Sequence, residues 1–316
     1  MFYHVKELQY HAKPDRPDPI FAKKLQEVLG GQFGEISVAL QYLFQGWNTR
    51  GDGKYRDLLM DTGTEELAHV EMLCTMIARL LDGAPVGDLE EAAKDPVLGA
   101  ILGGMNPQHA IVSGLGAMPA DSVGNPWTAA YINASGNLLA DFRMNLTYES
   151  QGRLQVCRLY EMTNDRGVKD MLSWLIARDT MHQNMWYAAI CELEEQENIV
   201  VPSTFPRKLE KQEVAYTYFD LSRGTESSKG RWASGPSMDS LGEFTYVENP
   251  PPFGEKPFIR PAPPYMFNTP PHVLKHIPPH RAEASKKALK SDESLIQVKQ
   301  VTVIIHINIF PVEVQR

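Results

Sequence analysis

The sequence predicts an all-α bundle of four long helices, followed by an irregular, proline-rich arm. Three observations carry this reading. Apolar residues recur at helical spacing through four segments of the first 200 residues. Two of these segments follow each other closely, then about fifty residues intervene before the second close pair. Beyond residue 200 the periodicity stops, and prolines crowd residues 250–281.

The first helix opens at Asp18-Pro19, a capping aspartate followed by proline at the first helical position, and is expected to run to about Trp47. Leu25, Val28, Gln32, Glu35, Ala39 and Tyr42 share one stripe of it. The second runs from about Lys54 to Leu81 and stops at Asp82-Gly83, aligning Leu59, Thr62, Glu66, His69, Leu73 and Met76. Residues 84–134 read as short helical pieces and glycine-marked loops. The third covers roughly Ser135–Thr163, with Leu139, Phe142, Leu146, Glu149, Arg153 and Val156 aligned. The fourth covers roughly Val168–Glu197, with Leu172, Leu175, Asp179, His182 and Trp186 aligned. Two helical hairpins joined by one long crossover is the ferritin-like way to build a four-helix bundle. Residues 1–200 therefore form the bundle domain. Residues 201–281 read as irregular chain and an arm suited to lying over neighbouring subunits, and 282–316 are an unassigned tail containing the strand-like VTVIIHINIF.

The bulk numbers narrow the function. A chain of 316 residues with 43% hydrophobic and 22% charged residues has ample material for a core. A formal net charge of −8 disfavours nucleic acid and anionic membrane as partners, since both call for basic surfaces. The sequence contains no apolar run long enough to span a bilayer. Cys74, Cys157 and Cys191 are odd in number and lack a Cys-x-x-Cys pairing, which fits buried thiols in a cytoplasmic protein.

The stripes that should be apolar carry acids. Helix one contributes Glu35, helix two Glu66-x-x-His69, helix three Glu149 and helix four Asp179-x-x-His182. Glu35 and Glu66 lie 31 residues apart and Glu149 and Asp179 lie 30 apart, so one hairpin pattern occurs twice. A Glu-x-x-His pair spans one turn, so both side chains reach the same point beside the helix. Unpaired carboxylates are expensive to bury, and cations neutralise them. One carboxylate from each of two helices, plus this motif from the other two, is the pattern of a di-iron or di-manganese site. Ligation rich in oxygen, with few imidazoles and no thiolate, suits manganese or iron over copper or zinc. His272, His276 and His280 lie among prolines and read as solvated.

At these residues, and through FGEISVALQYLFQGW, EELAHVEML, RDTMHQNMW and GRWASGPS, the sequence resembles the non-haem manganese catalases. The resemblance implies a hydrogen-peroxide-disproportionating enzyme with two manganese ions. Glu66 would join the ions, Glu35 and His69 would complete one, and Glu149 and His182 the other. Asp179 would stand back as an acid or base, where the family more often has glutamate. Tyr42 would hydrogen-bond beside the site. Tyr148 and Val156 occupy positions where some members carry arginine or lysine, and Arg153, one turn from Glu149, would supply that positive charge. The resemblance also implies a calcium ion at a subunit boundary, on Asp57, Asp61, Asp220, Ser222 and Gly224, and assembly as a homohexamer. The rival readings are a di-iron oxidase or peroxidase on the same bundle, and a coat-type structural protein that has lost turnover.

Overall fold

A computed structural model describes residues 3–83, 106–260, 262 and 266. The strand-like run at 301–310 and the histidines at 272, 276 and 280 lie outside the described residues, as does most of the proline-rich arm. Residues Met1–Pro250 form one compact unit, which includes the segment after residue 200 as well as the bundle.

The first expected helix is two helices. α1 spans Pro19–Gly30 and α2 spans Glu35–Asn48. Asp18 caps α1 as expected, its Oδ1 accepting from the Phe21 amide at 2.9 Å. The Gly31-Gln32-Phe33-Gly34 segment then breaks the rod. A side chain at Gly34 would sit 2.8 Å from the Leu29 carbonyl oxygen, so the turn closes too tightly for a Cβ. The break makes Glu35 the first residue of α2, where its charge meets the positive end of the helix dipole.

α3 runs Gly53–Leu81, capped by Asp52. A short α4, Pro107–Ile111, lies in the crossover. α5 covers Leu138–Glu161 with Asn137 as cap, and α6 covers Arg166–Glu197 with Asp165 as cap and left-handed Asn198 at its end. α2 packs chiefly on α3 and α5 on α6, so the two hairpins are as the sequence implies. The segment after residue 200 is not wholly irregular. β1 (Thr217–Asp220) pairs in parallel with β3 (Glu243–Glu248), and β3 pairs antiparallel with β2 (Gly235–Pro236).

The core is in two parts. One gathers Leu25 and Leu29 of α1, Met72 and Met76 of α3, and Leu172 and Leu175 of α6. The other gathers Tyr42, Leu59, Phe142 and Trp186. Along α3, α5 and α6 the acidic and imidazole positions fall between these two apolar sets. A buried amide network ties α2 to α5 on one side. Gln41 and Gln45 each donate to Asn145 Oδ1, at 2.9 and 3.0 Å, and Gln45 also donates to the Asn133 carbonyl of the crossover at 2.7 Å. Cys74, Cys157 and Cys191 are free and half-buried rather than fully enclosed. No helix among the described residues is long and apolar enough to cross a membrane.

Candidate metal centre

Five of the predicted side chains meet in two overlapping groups. Glu35, Glu66 and His69 form one, and Glu66, Glu149 and His182 the other, each with its donor atoms within 4.8 Å of one another. All five are buried, His69 completely. Glu66 belongs to both groups. Its Oε2 lies 2.7 Å from His69 Nδ1, and its Oε1 lies 2.8 Å from His182 Nδ1. Glu35 Oε2 stands 3.7 Å from His69 Nδ1, and Glu149 Oε1 stands 3.5 Å from His182 Nδ1. The two imidazoles are near-parallel, with centroids 5.9 Å apart.

This donor set fits a pair of cations. Glu66 Oε1 and His182 Nδ1 are close yet misaligned, and neither has a hydrogen-bond partner. Buried polar atoms left so cost on the order of 1–3 kcal/mol each, so their convergence on shared space is best explained by an ion between them. The electrostatics agree. Burial, reinforced by the Glu66 charge, pushes the Glu35 carboxyl up to about 8. Glu149 is raised for the same two reasons. Burial raises Asp179 well above its ordinary value, and the charges of Glu35, Glu149 and Glu66 add to the effect. Burial would depress His69 and His182, but the Glu66 carboxylate holds both imidazoles well above the ordinary range. Close carboxylates raise one another, and each imidazole beside Glu66 is held up by its charge.

The remaining predicted residues separate. Tyr42 donates to Glu149 Oε1 at 2.5 Å, a contact that reaches directly onto a member of one donor group. Asp179 is buried and faces a cavity of about 10 Å³, room for about one water-sized molecule. Glu35, Glu149, Phe33, Tyr148 and Gly152 also line it. Val156 lines the same cavity, so two positions where positive charge was sought are a tyrosine and a valine at its wall. Arg153 is not joined to the site by a direct contact. Its Nη1 points to Cys157 Sγ at 3.8 Å, and among the described residues no hydrogen bond or ion pair joins it to Glu149. Asp57 and Asp61 are exposed on α3, and Ser222 and Gly224 are exposed near β1. Asp220 is buried, accepting from Tyr246 Oη at 2.9 Å and from the Ser222 amide at 3.3 Å. The three aspartates do not form a converging group within this chain.

Two residues the sequence reading passed over complete the site. Glu65 lies behind both imidazoles, its Oε2 at 3.2 Å from His182 Nε2 and its Oε1 at 3.7 Å from His69 Nε2. Arg178 grips it with two hydrogen bonds, at 2.6 and 3.1 Å. Burial would raise the Glu65 carboxyl, but the bonds from His182, Arg178 and Gln9 bring it far below the usual carboxylate range. A usable signal existed: Glu65 precedes His69 by four residues, one helical turn.

The model of the manganese containing catalase family matches residues 1–283. A manganese catalase of Bacillus subtilis is 68% identical over 269 residues, covering 85% of this chain and 98% of its own. One from Lactiplantibacillus plantarum is 48% identical over 268 residues, covering 85% of this chain and 99% of its own. Among solved structures, the manganese catalase KatB from Anabaena superposes with a TM-score of 0.62 at 31% identity, covering 79% of this chain and all of its own.

Proposed function

The chain belongs to the manganese containing catalase family, and from that premise we propose how its own residues disproportionate hydrogen peroxide to dioxygen and water. Glu35, Glu66 and His69 hold one manganese ion, Glu66, Glu149 and His182 hold the second, and Glu66 is shared. The observation that carries this is the pair of unpartnered atoms, Glu66 Oε1 and His182 Nδ1, aimed at common space. The two ions, when bound, supply paired one-electron changes, so that two electrons move together.

The protein's part is access and proton handling. One peroxide surrenders two electrons and two protons and leaves as dioxygen. A second takes up two of each and becomes two waters. Protons released in one half must be kept for the other. Asp179 lines the cavity, buried among carboxylates that favour its protonated form, and in this reading carries one of the two protons. Tyr42 fixes Glu149 through its hydroxyl. The cavity beside Asp179 is small, about 10 Å³, and in this reading it serves small reactants in preference to bulkier reductants.

Calcium on Asp57, Asp61, Asp220, Ser222 and Gly224, and assembly as a homohexamer, are part of the same proposal. Asp57 and Asp61 stand one turn apart on an exposed face, as a site completed by another subunit requires. Free cysteines support a cytoplasmic setting.

Elemental analysis paired with oxygen-electrode assay tests the reading. Two manganese ions per chain with oxygen release from peroxide support it. Iron occupancy without oxygen release would favour the di-iron oxidase, and a loaded site without turnover would favour the structural protein.

A further inference from the structure

The donors around Glu65 converge to an unusual degree. Its Oε1 accepts from Arg178 Nε at 2.6 Å and from Gln9 Nε2 at 3.0 Å, and lies 3.7 Å from His69 Nε2. Its Oε2 accepts from an Arg178 terminal nitrogen at 3.1 Å and meets His182 Nε2 at 3.2 Å. The neighbours of both oxygens are donors, and they come from three separate places: the N-terminal segment, α3 and α6. The carboxylate side chain is 20% exposed, and the guanidinium that holds it is 31% exposed.

We infer that Glu65 is a positioning residue for both metal-ligand imidazoles, hydrogen-bonding His182 and standing at ion-pair distance behind His69, whose Nε2 has no hydrogen-bond partner, and that Arg178 and Gln9 hold it in register. The inference rests on the dinuclear reading above. A neutral imidazole has one nitrogen that donates and one that accepts. With Glu65 behind the rings, a hydrogen on Nε2 is favoured, so that once the Nδ1 proton is lost the Nδ1 atoms, which face Glu66, are the ones free to bind an ion. A carboxylate behind a ligating imidazole orients the ring and increases its basicity. Sharing one such carboxylate ties the two ion positions to each other, because a shift of Glu65 moves the support of both rings.

The N-terminal segment joins this device at a distance. Gln9 reaches Glu65, and the next residue, Tyr10, stacks on Trp174 with centroids 5.0 Å apart and donates to Asp170 at 2.6 Å. The anchor for Gln9 is therefore on α6, one to two turns before Arg178.

The test is Glu65→Gln in the full-length protein. The carboxamide keeps the shape but turns one of the two ends into a donor facing donors. Manganese affinity is read by equilibrium dialysis against manganese(II) with elemental analysis. The electronic state is read from the electron paramagnetic resonance spectrum of the manganese(II) protein. We expect binding weakened by roughly 10- to 100-fold. The spectrum should lose the spin-coupled pair in favour of isolated ions, while metal-free E65Q keeps its helix content. If E65Q does not fold, Arg178→Gln, which frees Glu65 without removing it, is expected to weaken binding in the same direction. Wild-type affinity with an intact coupled spectrum, in whichever variant folds, would overturn the role of Glu65. A wild-type protein that takes up no manganese would instead overturn the dinuclear reading, and this inference with it.

Discussion

Glu66 Oε1 lies 2.8 Å from His182 Nδ1, and the two are not hydrogen-bonded. Since Glu66 Oε2 meets His69 Nδ1 on its other side, one carboxylate stands between two imidazoles from different hairpins. Glu66→Gln removes the charge and one acceptor oxygen while keeping the shape. We expect the variant to lose both manganese ions, not one, because each donor group includes Glu66. Elemental analysis after extensive dialysis reads this. Retention of a full pair would contradict the sharing.

Asp179 should separate metal binding from turnover. Its carboxylate faces the cavity and belongs to neither donor group. Asp179→Asn is expected to keep two manganese ions per chain and to lose about 10²-fold or more in kcat, as removal of a general acid–base group does. Metal content and oxygen release measured on the same sample check both halves.

Tyr42→Phe removes the donor to Glu149 Oε1. The ring, packed against Trp186 with centroids 4.9 Å apart, stays in place. Leaving a buried carboxylate oxygen without its donor costs about 1–3 kcal/mol. We expect roughly a 10-fold loss in activity or in affinity for the second ion, with an unchanged circular dichroism spectrum.

Metal uptake should release protons and strengthen as pH rises. In the bare site Glu35 is raised to about 8 by burial and the Glu66 charge, so it is protonated at neutral pH. Burial would lower His69 and His182, but Glu66 holds both well above their ordinary value, so they are protonated too. Ligation requires the deprotonated forms, so each ion that enters expels protons. Apparent manganese affinity is therefore expected to increase from pH 6 to pH 9. Dialysis across that range checks the slope, and an affinity independent of pH would contradict the assignment.

Much of this was legible in the sequence, because helical period and ligand spacing are the same physical fact seen twice. Residues that must face a common point sit on one stripe, and Glu66, His69, Glu149, Asp179 and His182 were found that way. What the stripe could not show lay beside it. Glu65 is rotated about 100° from Glu66 on the same helix, so a search of the apolar face passes it by. Its partner Arg178 adjoins Asp179 in the same manner. The division of the first rod into α1 and α2 was masked because the stripe from Leu25 to Tyr42 continues across the break. Gly30, Gly31 and Gly34 were the local signal, and a Cβ at Gly30 would come within 2.5 Å of the Ala120 backbone. The small sheet was missed because its strands are short and held by turns, leaving little alternation to read. Arg153 shares a stripe with Glu149, yet its long side chain turns to Cys157, a choice that spacing does not encode.

The most direct measurement is an anomalous difference map, recorded at the manganese absorption edge from crystals of protein produced with manganese supplied. The account predicts two peaks per chain, one within bonding distance of Glu35, Glu66 and His69 and one within bonding distance of Glu66, Glu149 and His182. A single peak, a peak away from Glu66, or signal at the iron edge alone would contradict it.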